Sequence, residues 1–207
     1  MNKLLHICSS PRGERSYSRR LADIFIHSYL RNHPTFVPEV LDLWKMDLPE
    51  FDCVAANARY DFRGEGLDPD EQQTWRRVER FFKQFASADK YVISAPMWNF
   101  LFPYKLKQYI DIITQPGMCF EYLEDGTVQG KITGKPVMLI LTRGGIYSDE
   151  NGKAFDFQRQ YLYSYLRFIG FTDIRELVAE GQDINEEIAE KNRQQAEEEA
   201  LVSALNF

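Results

Sequence analysis

The 207-residue sequence predicts a doubly wound α/β fold: a five-stranded parallel sheet in the order 2-1-3-4-5, with helices on both faces. Three observations predict it. Short apolar runs alternate with helical stripes along the whole chain, and parallel neighbours need helical crossovers between them. The third and fourth runs are apolar almost throughout, as burial on both faces of a sheet requires. The connections after the first, third and fourth runs are rich in Ser, Pro and Gly, and they fall where such a sheet places its ligand, outside the carboxyl ends of the strands.

The elements follow in order. Residues 3–8 (KLLHIC) read as the first strand, and Leu21, Ile24 and Phe25 set the stripe of the first helix. Residues 37–43 (VPEVLDL) form a weaker strand, followed by a helix through Trp75, Val78, Phe82 and Phe85. The third strand is 90–95 (KYVISA), and Leu106, Tyr109, Ile110 and Ile113 mark the next helix. Residues 136–142 (PVMLILT) and 174–179 (IRELVA) complete the sheet, separated by a helix through Phe157, Tyr161, Tyr165, Leu166 and Ile169. The chain ends in a charged helix over 185–204, whose glutamates read as a solvated face. One domain spanning 1–207 is expected. Two segments exceed what an α/β connection needs: 44–67, and 114–135, which reads as a hairpin around Asp125-Gly126.

Composition narrows the function. With 25 Lys and Arg against 31 Asp and Glu, the net charge is −6, which argues against a nucleic-acid or membrane-surface binder. Cys8, Cys53 and Cys119 are odd in number, without a CxxC pair or a histidine at zinc-ligand spacing, so neither a disulfide framework nor a structural metal is expected. The amino terminus lacks an apolar run of signal-peptide length, and the expected compartment is the cytoplasm.

Chemistry concentrates in three loops. After strand 1, Ser9, Ser10, Ser16 and Ser18 sit where the chain enters a helix, whose free N–H groups and positive dipole end attract an anion. Residues 12–20 carry four arginines against Glu14, a local charge of +3. A phosphate pocket is one reading; a simple helix cap at Ser16 or Ser18 is the other. Neither GxxxxGK[ST] nor GxGxxG is present, which disfavours a nucleoside triphosphate or a dinucleotide fold. After strand 3, Pro96-Met97-Trp98-Asn99-Phe100 offers large apolar side chains on a rigid backbone suited to a flat heterocycle. After strand 4, Thr142-Arg143-Gly144-Gly145 lets the backbone approach a ligand or take positive φ.

SSPR followed by SYS, PMWNF after strand 3 and TRGG after strand 4 resemble the FMN-dependent NADH-azoreductase and NAD(P)H:quinone oxidoreductase family, a flavodoxin-like group, over most of the chain. The resemblance implies tightly but non-covalently bound FMN. Ser10, Ser16, Tyr17 and Ser18 would hold its phosphate and ribityl end, Met97, Trp98, Asn99 and Phe100 would line the isoalloxazine, and Thr142, Arg143, Gly144 and Gly145 its pyrimidine side. Phe120 would pack over the flavin pocket, and Tyr161 or Leu162 would approach from the partner of a homodimer with interfacial active sites.

The implied reaction is ping-pong. NADH or NADPH delivers hydride to flavin N5, and two electrons then pass to a quinone or an azo compound; an azo bond needs two such cycles to yield amines. No side chain is compelled to act as catalytic acid: His6, His27 and His33 read as packed or solvated, and Cys8 as buried and inert. Arg59 and Arg63 are open as contacts for a 2′-phosphate or as surface charges. The alternatives are a one-electron flavodoxin-type carrier and a quinone reductase without useful azo activity.

Overall fold

The computed structural model describes residues 2–61 and 66–207. Arg63 lies outside them. The main sheet is parallel and has the order β2 (Phe36–Asp42), β1 (Asn2–Cys8), β3 (Lys90–Pro96), β6 (Val137–Thr142) and β7 (Ile174–Ala179). This is the expected 2-1-3-4-5 order. Cys8 lies opposite both Asp42 and Ser94, and Pro96 and Ala179 both lie opposite Thr142, so the strands end together at one edge.

Strand alternation splits the core in two. Leu5, Ile7, Tyr91, Ile93, Leu139 and Leu141 face α3 (Pro69–Ala86), α4 (Tyr104–Ile113) and α5 (Phe157–Ile169). Leu4, Val92, Met138, Ile140 and Leu177 face α1 (Tyr17–Asn32) and α6 (Glu186–Leu205). Helix α3 starts at a capping box: Asp68 Oδ1 accepts from Asp70 and Glu71 N–H at 2.9 Å each, and Glu71 Oε2 accepts from Asp68 N–H at 3.0 Å.

Two expectations change. The 44–67 segment contains a helix, α2 (Cys53–Asp61), which buries Ala55 and Ala58; small residues and a weak apolar stripe hide such a helix from periodicity. The last helix is more than a solvated face. Ala189, Ala196, Ala200 and Ala204 are buried, and the small side chains let α6 lie close on α1. Two ties fix the pair: the Tyr17 hydroxyl donates to Arg193 C=O at 2.9 Å, and Arg20 pairs with Glu197 at 3.1 Å.

The 114–135 segment holds the hairpin of β4 (Phe120–Tyr122) and β5 (Val128–Gly130). Ile132 N–H donates to Ile169 C=O at 2.8 Å, and Gly130 lies so close to Gly170 that a Cβ would strike its backbone. Helix α5 runs back from the carboxyl edge to the amino edge of the sheet. Contact with its last turn therefore places the hairpin at the amino edge.

Candidate functional site

The chain order reverses between β1 and β3, and the carboxyl edge there opens into a cleft. Ser9 is tied to the sheet, its N–H and Oγ donating to Ser94 C=O at 3.1 and 3.0 Å. Ser16 caps α1, its Oγ accepting from Arg19 N–H at 3.3 Å and lying 3.1 Å from Ser18 Oγ. The cap reading and the pocket reading of Ser16 are compatible, since Ser16 also lines the cleft with Ser10 and Tyr17. Ser18 is buried beneath it. The N–H groups of Tyr17 and Ser18 have no acceptor among the described residues, so the helix end offers two free donors. Arg19 pairs with Asp42 at 3.0 Å, whereas exposed Arg12, on the cleft, and Arg15 have no acidic partner among the described residues.

After β3 the chain makes a two-residue turn. Trp98 N–H donates to Leu101 C=O at 3.3 Å and Leu101 N–H to Trp98 C=O at 2.9 Å. Both central residues are left-handed, Asn99 at φ 46° and Phe100 at φ 70°. Asn tolerates that region, but Phe does not, so the turn stores about 1 kcal/mol or more at Phe100. The Phe100 ring is 43% exposed, at centroid distances of 6.4 Å from Tyr147 and 5.4 Å from Phe155. Trp98 is 40% exposed beside it. Met97 is pinned by its N–H to Thr142 C=O at 2.8 Å.

After β6, close approach to a ligand or positive φ was expected of Gly144 and Gly145, and neither adopts positive φ. Gly144 serves a close approach within the protein instead, to Asp183. The C=O groups of Arg143, Gly144 and Gly145 accept from the N–H groups of Gln182, Asp183 and Gly181, each at 3.0 Å, and a Cβ on Gly144 would run into the Asp183 carboxylate. Arg143 borders the cleft, yet its guanidinium is drawn toward α5. Nε donates to Gln158 Oε1 at 3.1 Å, and Nη1 meets Asp156 and Glu180 at 2.9 Å each.

The remaining expected site residues lie elsewhere. Phe120 packs on Phe168 (4.8 Å) and Tyr122 (5.6 Å) at the amino edge, away from the cleft of its own chain. Tyr161 lines a separate groove of about 490 Å³ with Phe51, Arg59 and Phe168. Leu162 is fully enclosed in its own core and presents no surface to a ligand or partner. Burial pushes the Cys8 thiol up, and His6 is packed inside the sheet.

The family profile described as the flavodoxin-like fold matches residues 2–203. An FMN-dependent NADH:quinone oxidoreductase of Nitratidesulfovibrio vulgaris is 44% identical, with 100% of both chains covered. The chain belongs to this flavodoxin-like family. Among its solved members, the azoreductase of Bacillus anthracis str. Sterne superposes with a TM-score of 0.93 at 31% identity over 100% of both chains. An FMN-dependent NADH-azoreductase of Bacillus anthracis str. Ames Ancestor, in complex with FMN, gives 0.87 at 29% identity, covering 99% of this chain and 100% of that one.

Sequence reasoning missed two residues that line this flavodoxin-like cleft and two that brace the loops around it. Gln182 and Asp183 line it from the carboxyl end of β7, so the strand-end rule applied to the fifth strand would have found them. Trp44, just after β2, donates Nε1–H to Ser9 C=O at 2.8 Å and packs edge-on to Tyr104 at 5.2 Å. Gln158 carries no sequence signal.

Proposed function

We propose that this flavodoxin-like protein is an FMN-dependent NAD(P)H oxidoreductase that acts by a ping-pong, two-electron reaction on quinones and on azo compounds. The single observation that carries the reading is the convergence of three strand-end loops on one cleft, with an anion-seeking helix end on one side and a strained aromatic turn on the other. The residues present fit FMN: the two unpaired N–H groups of α1 suit a phosphate, and Ser10, Ser16 and Thr142 line the same cleft as Met97 and Trp98. Bound FMN supplies the centre that accepts hydride and returns two electrons.

The chain's own residues bind and orient. Ser10, Ser16, Tyr17 and Ser18 hold the phosphate end, Ser18 through its backbone N–H because its hydroxyl lies against Ser16. Met97, Trp98, Asn99 and Phe100 border the ring, and Thr142, Arg143, Gly144 and Gly145 close its polar edge, mainly through backbone groups. Donors aimed there would stabilise charge that grows on reduction. No side chain is assigned as catalytic acid or base.

A homodimer with interfacial sites accompanies this reading. Phe120 packs in the core of its own chain, remote from its own cleft, so a part in flavin binding would be played in a partner's cleft, and Trp98, Phe100, Tyr104 and Phe155 are large exposed aromatics that suit an interface. Tyr161 faces the side groove as a second candidate contact. The cytoplasm is the proposed compartment; no described helix is long and apolar enough to cross a membrane.

Purified protein is expected to contain FMN and to oxidise NADH with menadione and with an azo dye, giving parallel double-reciprocal lines. Protein without flavin, or inert toward both acceptors, would sink the reading. Activity with quinones alone would leave the narrower quinone reductase.

A further inference from the structure

Both loops that flank the ring end of the cleft leave the sheet beside a buried polar chain that the binding roles above do not use. Gln158, at the start of α5, is completely buried. Its Nε2–H donates to Ala95 C=O at 3.1 Å, and its Oε1 accepts from Arg143 Nε at 3.1 Å. Ala95 is the last residue before Pro96, which has no N–H to offer the ladder, so the backbone there is held through its carbonyl. Arg143 is the first residue past β6. Its Nη1 then reaches Glu180 and Asp156, and Glu180 accepts from the N–H groups of Tyr147 and Ser148 at 3.0 and 3.2 Å. One chain of hydrogen bonds thus runs from the exit of β3, through Gln158 and Arg143, to the return of the loop after β6.

We propose that Gln158 is a positioning residue: its amide clamps the β3 exit to the β6 exit and so fixes the opening between the 97–100 turn and the 142–145 loop. The inference rests on the FMN reading above. The amide suits the task because it has a donor for a carbonyl and an acceptor for a guanidinium on one rigid plane. Removal takes one bond from the Ala95 carbonyl and leaves Arg143 Nε buried without its acceptor, although Nη1 keeps Asp156 and Glu180, so the loops shift to find a new partner. Glu180 performs the corresponding task for residues 147–148, and Asp156 couples the clamp to α5, since its Oδ1 also accepts from Arg159 N–H at 3.0 Å.

The test is flavin titration of stripped protein, with FMN and with riboflavin, alongside melting temperature and the visible spectrum of the bound flavin. Gln158→Met keeps the volume and loses both hydrogen bonds. Affinity should fall roughly tenfold for FMN and for riboflavin alike, because the phosphate end is untouched, and the spectrum should shift. Gln158→Glu keeps the acceptor for Arg143 and should recover part of that loss. If the methionine variant does not fold, Glu180→Gln reads the same chain and should weaken both flavins in parallel. A folded variant whose melting point drops while both affinities and the spectrum stay within about twofold of the parent makes Gln158 merely structural and overturns the inference. Parent protein that binds neither flavin overturns the FMN reading instead.

Discussion

His6 gives the sharpest test of the packing. It sits on β1, on the side of Leu4 that faces α1, fully buried, with Nε2 2.8 Å from Ser94 Oγ and Nδ1 without a hydrogen-bond partner. Burial, aided by the nearby positive charge of Arg19 and opposed by Asp42, lowers its pKa from 6.5 to about 4. Between these values the unfolded chain binds the extra proton and the folded chain does not. Stability is therefore complete above pH 6.5, is lost as pH falls through that window and levels below about 4. The full window corresponds to about 3 kcal/mol, of which roughly 2 kcal/mol is lost between pH 7 and pH 5. For a chain of this length, that is a fall in melting temperature of about 4–8 °C.

The assay is urea unfolding at pH 7 and pH 5, read by circular dichroism, on the parent and on His6→Gln. The variant keeps a polar group for Ser94 and cannot titrate. Carboxylates contribute equally to both proteins, so the difference between the two pH slopes isolates His6. Parallel losses, within about 0.5 kcal/mol, would refute the burial argument.

Three further outcomes follow from the site and its supports. Phe100→Gly relieves the left-handed strain but loses the contacts to Tyr147 and Phe155 and frees the unfolded chain; at about 1 kcal/mol each, the one gain and two losses leave a net loss of about 1 kcal/mol. The melting temperature should stay within about 3 °C while NADH turnover falls severalfold, and a large loss of stability with normal turnover would contradict it. Gly144→Ala forces the end of the Asp183 side chain to swing, so stability should change by less than about 1.5 kcal/mol while FMN affinity drops; calorimetry with flavin titration checks both. Leu162→Ala should cost about 2–5 kcal/mol in chemical denaturation without altering flavin affinity in the protein that remains folded, because the side chain is enclosed by core.

The sequence by itself determined the five strands and the three loops at their carboxyl ends, because period and strand-end chemistry are local properties of the chain, while their order was expected as the commonest for five such strands and is the one the sheet has. It also located the hairpin around Asp125-Gly126. Helix α2 was hidden because Ala55 and Ala58 pack without a strong apolar stripe, and α6 read as solvated because its buried face is alanine. Tertiary structure alone decided what each loop residue does. Positive φ falls on Asn99 and Phe100 rather than on Gly144 or Gly145, because Trp98 and Leu101 close a two-residue turn between them. Arg143 turns from the cleft toward Gln158, Asp156 and Glu180, partners that are 13 or more residues away in the chain and adjacent only after α5 and β7 have packed. Phe120 lies far from its own cleft because α4 carries the chain to the opposite edge of the sheet before the hairpin begins. Side-chain partners of this kind are set by non-local contacts, which no periodicity in the sequence records.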